Sequence, residues 1–384
     1  MRIAMLTYSV KPRGGVVHAL EVSEALARRG HDVELMALAR PGEGLFRDTP
    51  LPLRIVRHTP IDAAFDVRIE AMLEAYTDGL RPLLGRGYDI VHAQDCLSAN
   101  AALTLREEGV IDHVIRTVHH VDDFTSPSLI ECQDRSIMGP DHVLCVSEPW
   151  VARLRSDFGV VAGLVPNGVD RHRFRPPRDA DERADARRRS GAGDRLVVLT
   201  VGGVEPRKGS LTLLEGFARL RELLPHRDPL LLIAGGTTLF DYRHEVDRFE
   251  ARVRELDLAR HVRRLGPLEP DEIERLFRAA DVFAFPSVKE GFGLAALEAL
   301  AAELPLVASD LDVFRGFLTD GESALLHPVG DAAALANALA RVARSPELRA
   351  RLRRGGAEVA ARFGWDASGE AHEAAYERVG SMAR

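Results

Sequence analysis

A chain of 384 residues is long enough for two domains, each burying a core of its own. Hydrophobic residues at 46% and charged residues at 28% are ordinary for a water-soluble globular protein and exclude a disordered or collagen-like chain. A formal net charge of -7 repels polyanions, which sets nucleic acid aside as a partner, and no apolar run approaches the ~20 residues of a membrane span. The first strand pattern begins at Arg2 without a charged and apolar leader, so the expected location is cytoplasmic. Cys96, Cys132 and Cys145 have no metal-ligand spacing and are too few for a disulfide framework, so reduced thiols are expected. The lysines are only Lys11, Lys208 and Lys289, which makes each one informative against a background of arginine.

In chain order, short apolar runs rich in β-branched residues alternate with helical patterns, as parallel strands joined by crossover helices do. Residues 2–8 read as a strand, followed by a glycine-bearing loop and an amphipathic helix near 16–29 that ends at Gly30. Strands follow at 32–39, 88–92, 113–118 and 142–146. The strand at 32–39 runs into a loop, and a helix is expected over 61–80. Turn residues and a double proline in the stretch from Pro166 to Pro177 interrupt regular structure, which puts the boundary of the first domain at 1–168. Alternation then resumes with strands at 195–201, 229–234, 262–265, 282–285 and 306–309, which predicts a second, similar domain over 169–365. The last part of the chain reads as helices, broken near Gly355-Gly356 and again around 363–366. No low-complexity tract or repeat is present. The fold class is therefore α/β, with two tandem doubly wound, Rossmann-like domains and a cleft expected at the carboxyl ends of their sheets.

Neither first strand is followed by G-x-G-x-x-G, which argues against a nicotinamide or flavin enzyme. The densest chemical signal runs from Pro286 to Ala302: a strand end, a turn holding Gly291, Phe292 and Gly293, and a helix that is apolar except for Glu298. Two glycines let the backbone approach a ligand, and the N–H groups and positive dipole at the helix start, from Leu294, favour an anion such as phosphate. A helix apolar all round is buried, and a carboxylate on it is costly without a partner. At ~1.5 Å rise per residue Glu298 lies ~7–8 Å along the helix, while Glu290 precedes it, so two carboxylates bracket an anion site. Such a layout can accept hydroxyl hydrogen bonds from sugars on both sides of a diphosphate. The plainer alternatives are a Glu298 paired to a neighbouring arginine and a solvated Glu290. Arg207-Lys208-Gly209 precedes a helix over 210–223, and cations there oppose the dipole unless an anion lies between them. An exposed basic turn is the alternative.

These residues, in this order, resemble the retaining glycosyltransferases of family 4, which have the GT-B fold. The resemblance spans nearly the whole chain, through Gly14-Gly15, Thr117-Val118-His119, Val146-Ser147, Pro166-Asn167-Gly168-Val169-Asp170, Val201-Gly202, Lys208-Gly209, Ala234-Gly235-Gly236 and the E-x7-E pair Glu290/Glu298. It implies that the first domain holds the acceptor and the second a nucleotide-sugar, with a last helix, about 366–384, crossing back to the first domain. It further implies that Glu298 binds the ribose, Glu290 the donor sugar, and Lys208 with the backbone at Gly293 and Leu294 the diphosphate. Gly15 would approach the diphosphate from the first domain, and His119 would touch the donor sugar, although adjacent His120 leaves that choice open. The implied chemistry is front-face transfer with retention, the departing phosphate helping to deprotonate the acceptor.

Three positions depart from the family pattern. Gly203 stands where an arginine is usual after Val-Gly, a role that Arg207 is expected to take; Glu303 replaces a glycine; and Gly316 stands where a glutamate is usual. The leading expectation is transfer of a hexose from a UDP-, GDP- or ADP-sugar to a hydroxyl acceptor. The alternatives are a non-catalytic GT-B pseudoenzyme or nucleotide-sugar-binding partner subunit, suggested by Gly203 and Gly316, and a nucleotide-sugar epimerase, for which no clear acid/base set is present. No metal-ligand spacing occurs; a loosely held Mg²⁺ would arrive on the diphosphate. The expected helix at 61–80 carries Asp62, Asp66, Glu70, Glu74 and Asp78 against Arg68, which is unsuited to anionic lipid, so a soluble acceptor without stable membrane association is expected. The base pocket is expected from residues 237–242 and the turn at Gly266-Pro267-Leu268.

Overall fold

Strand-forming runs such as Arg2–Thr7, Pro229–Ala234 and Val282–Phe285 are buried along nearly their whole length, as the centre of a parallel sheet covered by helices on both faces requires. The structure, a computed structural model, describes residues 1–236 and 242–382. The chain divides into one unit of Met1–Gly168 plus the segment from Trp365 on, and a second of Val169–Gly364.

The first unit runs β1 (Arg2–Thr7), α1 (Gly14–Arg28), β2 (Asp32–Ala39), β3 (Leu53–Arg57), α2 (Phe65–Leu84), β4 (Ile90–Ala93), α3 (Cys96–Glu107), β5 (Ile115–Val118), α4 (Pro127–Met138), β6 (His142–Cys145), α5 (Glu148–Phe158) and β7 (Gly163–Leu164). Its sheet is ordered β3-β2-β1-β4-β5-β6-β7 and parallel throughout, with Ile3 beside Val33 on one side and Ile90 on the other. Strand order reverses at β1, so the loops leaving β1 and β4 diverge and open a crevice at their carboxyl ends. Tyr76 of α2, fully buried, places its hydroxyl 2.7 Å from the Thr7 carbonyl oxygen and 2.8 Å from that of Met36, so its single proton is shared between them and holds that helix over the end of β1.

The second unit follows the same plan: α6 (Ala180–Arg189), β8 (Leu196–Val201), α7 (Ser210–Leu223), β9 (Pro229–Ala234), α8 (Arg243–Glu255), β10 (Val262–Gly266), α9 (Pro270–Ala279), β11 (Val282–Phe285), α10 (Leu294–Ala301), β12 (Leu306–Ser309), α11 (Asp312–Arg315), β13 (Leu325–His327), α12 (Ala332–Arg344) and α13 (Pro346–Ala361). Its sheet order is β10-β9-β8-β11-β12-β13, with the reversal between β8 and β11. The core gathers Leu213, Phe217 and Leu220 of α7 with Leu335 and Leu339 of α12. The last helix, α14 (Trp365–Met382), belongs to the first unit, where Arg28 pairs with Asp366 at 2.7 Å and His31 with Glu373 at 2.9 Å.

The expected doubly wound α/β class is the observed one, and three details differ. Strands β3, β7 and β13 were not anticipated: β3 is an edge strand with arginines at 54 and 57, while β7 and β13 have only 2 and 3 residues. The expected helix at 61–80 runs instead over Phe65–Leu84. Gly355-Gly356 does not break a helix. Helix α13 continues through both, and their missing side chains admit close packing, since a Cβ on Gly355 would lie 2.5 Å from the Glu322 carbonyl oxygen and one on Gly356 2.9 Å from Leu300 Cδ2.

Candidate active site

In the second unit the topology itself assembles the predicted residues. Because β8 and β11 are hydrogen-bonded neighbours at the reversal point, the loops leaving them, 202–209 and 286–293, lie side by side. Residues Pro206–Lys208 form a single 3₁₀ turn, and Gly209 then reverses the chain into α7 at φ +64°. A side chain on Gly209 would overlap the Pro286 carbonyl, so only glycine lets the two loops touch. The Val288 N–H donates to the Arg207 carbonyl at 2.8 Å and fastens one loop to the other.

Glu290 is buried, 7% exposed, and its carboxylate receives Lys208 Nζ at 2.7 Å and an Arg207 guanidinium nitrogen at 3.4 Å. Burial alone would raise the Glu290 carboxyl, but the Lys208 and Arg207 charges and the Lys208 hydrogen bond outweigh it and hold the group at about 2. Burial pulls the Lys208 ammonium below its ordinary value, with Glu290 acting against that fall. The ammonium also stands 5.0 Å from the centre of the Phe285 ring. Two of the plainer alternatives fail: Glu290 is not a solvated loop acid, and the basic pair is not an exposed turn.

Gly293 opens α10 at φ +98°, where a Cβ would come 2.5 Å from Phe314 Cε1. The leading N–H groups of a helix have no carbonyl one turn back to bond, and they carry the positive end of the dipole. Leu294 starts that turn, while Gly291 is buried just before it. The Phe292 ring stacks on Phe317, centroids 5.2 Å apart, and meets Phe363 edge-on, so this side chain anchors the turn. Helix α10 is not buried all round, as its composition had suggested. Leu294, Ala295 and Glu298 form a half-open stripe while Ala296, Leu297, Ala299 and Leu300 are buried, so Glu298 sits on the accessible side.

The two departures at glycine differ in kind. A Cβ on Gly203 would lie 2.5 Å from the Gly236 carbonyl oxygen, so the backbone excludes an arginine there. Gly316 has helical φ and ψ of -63° and -21°, and a Cβ would meet nothing closer than 3.4 Å. Arg207 reaches the Lys289 carbonyl at 3.3 Å and Glu205 at 3.8 Å besides Glu290. Of the expected base-pocket loop, residues 237–241 lie outside the described residues.

In the first unit, Gly15 in the opening turn of α1 faces His119, just beyond β5. A Cβ on Gly15 would lie 3.3 Å from His119 Cδ2 and 3.7 Å from the Gln94 carbonyl oxygen. His119 Nε2–H donates to Gln94 Oε1 at 3.1 Å, the amide oxygen being able only to accept, which leaves Nδ1 as an acceptor. His120 pairs with Asp122 at 3.2 Å instead. Burial, with Arg116 and neighbouring histidines adding repulsion, keeps His119 well below the ordinary histidine value.

His119 belongs to a group that sequence reading missed. His18 of α1 is fully buried with its ring 4.8 Å from His119, 5.3 Å from His372 of α14 and 5.9 Å from Trp365, and its Nδ1 lies 2.6 Å from Asn167 Oδ1. His92 of β4 bonds the Tyr376 hydroxyl (2.7 Å) and Thr117 Oγ1 (2.8 Å). Burial pushes His18 and His92 well below the usual range and His372 down to about 4, so the cluster is neutral imidazole at physiological pH. Four separate elements contribute these rings, so no local spacing announces them. Among the described residues no group of His, Cys, Asp or Glu side chains has the arrangement to hold a metal, and no helix is long and apolar enough to cross a membrane.

Comparisons with known proteins bear on the family and the fold. Residues 12–173 match the family described as Glycosyltransferase Family 4, and residues 182–359 the family described as Glycosyl transferases group 1. The chain is 32% identical to phosphatidyl-myo-inositol mannosyltransferase of Mycobacterium leprae, over 99% of this chain and 97% of that one. It is 29% identical to D-inositol 3-phosphate glycosyltransferase of Corynebacterium jeikeium, again over 99% and 97%. Among solved structures, Anabaena HepE in complex with UDP and glucose superposes with a TM-score of 0.80 at 16% identity, covering 98% of this chain and 99% of that one.

Proposed function

Since the chain belongs to glycosyltransferase family 4 and is a glycosyltransferase of the GT-B type, we propose that it moves a hexose, with retention, from a nucleoside-diphosphate sugar to a hydroxyl acceptor. The carrying observation is the buried Glu290 carboxylate held by Lys208 and Arg207 next to a helix that starts on a left-handed glycine. Lys208 and the α10 amides are assigned to the diphosphate, Arg207 to the same charge in place of the arginine excluded at position 203, Glu298 to the ribose and Glu290 to hydroxyls of the sugar. On this reading the second unit holds the donor and the first the acceptor, with Gly15 and His119 as its contribution.

When the glycosidic bond of the donor breaks, negative charge builds on the diphosphate. Preplaced cations and helix amides lower that barrier because they need no reorganisation, and removing one such donor usually costs about 10²–10³ in kcat. Glu290 does not suit the proton-donating role of a glycosidase carboxyl, since a group held at about 2 carries no proton near neutrality. Its capacity is to accept hydrogen bonds. The departing phosphate serves as base for the acceptor hydroxyl.

Inositol phosphates are the first acceptors to test, because the Corynebacterium relative is named for one. Glu70, Glu74 and Asp78 are exposed on α2, which favours a dissolved acceptor over an anionic lipid surface, and a cytoplasmic location fits that reading. The test combines each nucleotide-sugar with the acceptor, measures released nucleoside diphosphate and reads the anomeric configuration of the product by NMR. Transfer with retention, reduced at least a hundredfold in Lys208→Ala, is the expected result. Saturable donor binding with no product would establish the non-catalytic alternative.

A further inference from the structure

Away from the residues assigned to transfer, two of the three cysteines meet. Cys96, the first residue of α3, and Cys132, in the middle of α4, bring their sulfur atoms to 2.8 Å across 36 positions of sequence. Both are partly accessible, whereas Cys145 is buried in β6. The Asn100 side-chain amide binds the pair together: its Nδ2 lies 2.8 Å from the Cys132 carbonyl oxygen, 2.9 Å from that of Cys96, and 3.3 and 3.5 Å from the two sulfurs. The two amide protons are taken by the carbonyls, which holds the sulfur atoms together, and the neighbouring thiol is the donor that a thiolate at Cys132 would use.

We propose that Cys96 and Cys132 form a peroxide-responsive dithiol, which closes reversibly into a disulfide tying α3 to α4. Cys132 lines a cavity of about 220 Å³ together with Asp66, Glu70, Leu73, Glu131 and Arg135, so reagent reaches this sulfur first. Three carboxylates against one guanidinium disfavour an anionic oxidant such as glutathione disulfide and admit neutral hydrogen peroxide. The hydrogen bond from Cys96 lowers the Cys132 thiol below its ordinary value, while that same hydrogen bond, and burial after it, raise Cys96, which agrees with the order given by access.

The steps balance. The Cys132 thiolate attacks one oxygen of hydrogen peroxide, the O–O bond breaks, and hydroxide leaves with a sulfenic acid on Cys132. Cys96 sulfur then attacks Cys132 sulfur, the S–O bond breaks, the Cys96 proton goes to the departing oxygen, and water leaves. Two thiols lose two electrons in all, and one peroxide becomes two waters. A dithiol reductant reverses the closure by exchange.

Closure has a path to the loop that carries His119. Gln133, the residue after Cys132, clamps Asp122 by accepting its N–H at 2.8 Å and donating to its carbonyl at 3.1 Å. Pinning α4 to α3 therefore fixes one end of the loop between β5 and α4.

The test treats the full chain with a few equivalents of hydrogen peroxide and reads intact mass, peptide maps and amide exchange. The expected product has lost two hydrogen atoms, joins the peptides containing Cys96 and Cys132, keeps Cys145 reduced, and returns to its first mass with dithiothreitol. Exchange in residues 119–126 should slow at least threefold on closure. In Cys96→Ser, dimedone should trap the sulfenic acid on Cys132, whereas Cys132→Ser should leave Cys96 unlabelled. Two free thiols after oxidation, a link to Cys145, or dimedone on Cys96 alone would overturn the assignment, and unchanged exchange at 119–126 in cross-linked protein would overturn the coupling to the loop. The wild-type mass alone decides the cross-link, so a poorly folding variant does not obscure it.

Discussion

Replacing Lys208 by methionine keeps most of the side-chain stem and removes the charge that Glu290 depends on. The carboxyl sits at about 2 rather than at its ordinary 4.5, a difference of about 2.5 units, which at 1.36 kcal/mol per unit is about 3 kcal/mol in favour of the charged form. At 7% and 19% side-chain exposure the two partners are poorly screened by water, so little of this is lost to solvent. Arg207 remains at 3.4 Å and recovers part of the stabilisation, so we expect Lys208→Met to cost the second unit about 2 kcal/mol at pH 7. Glu290→Gln should cost a similar amount, and the double variant should lose about 1.5–2 kcal/mol less than the sum of the singles. The depressed Glu290 value contributes stability that is present above pH 4.5 and fades as pH falls through about 2, so the cost of Lys208→Met should shrink steadily below pH 4.5. Native-state hydrogen exchange in β8 and α10 measures the opening free energy of this unit without assuming that both units unfold together. Additivity of the two substitutions within ~0.5 kcal/mol would refute the ion-pair account.

Other substitutions separate the roles argued above. Gly203→Arg, which restores the usual family residue, should lower both thermal stability and donor binding because the Gly236 carbonyl occupies the space; normal stability with raised activity would show that the loop yields. Gly316→Glu meets no such obstacle and should leave stability within ~0.5 kcal/mol, checked by thermal unfolding; a large loss would contradict the open surroundings at that position. Arg207→Ala should reduce turnover nearly as much as Lys208→Ala, and a loss of less than threefold in kcat would remove Arg207 from the diphosphate. His372 lies at about 4 against an ordinary 6.5, so its contribution is fully present above pH 6.5 and is lost as pH falls toward 4, by about 3 kcal/mol. Exchange protection of α14 should fall over that interval, and a flat profile from pH 7 to 4.5 would contradict the neutral cluster.

How much of this was legible in the sequence depended on whether the signal was local. Val282–Phe285 is an uninterrupted apolar run buried on both faces and Leu196–Val201 is apolar but for Thr200, with Val197–Leu199 buried, and their position before glycine turns marked the loops of the site. The pairing of Lys208 with Glu290 was not readable as a contact, because 82 positions separate them and only the adjacency of β8 and β11 joins them. Edge strand β3 escaped notice because only Val56 in it is buried, so it lacks the strong apolar pattern. Gly355-Gly356 misled because glycine signals both helix ends and close approach, and here the second use applies. The histidine cluster was invisible for the same reason as the ion pair: α1, β4, the loop after β5 and α14 each contribute one ring.

The central claim is that the second unit binds a nucleotide-sugar through Lys208, Glu290, Glu298 and the start of α10. The most direct measurement is thermal unfolding of the wild type, Lys208→Ala and Glu298→Ala with UDP, GDP, ADP and their hexose conjugates. A ligand at 100 times its Kd adds about 2.7 kcal/mol to the native state. The account predicts a clear upward shift in Tm for the wild type with the nucleotides of one base, lost in both variants. No shift with any nucleotide, or the same shift in all three proteins, would contradict it.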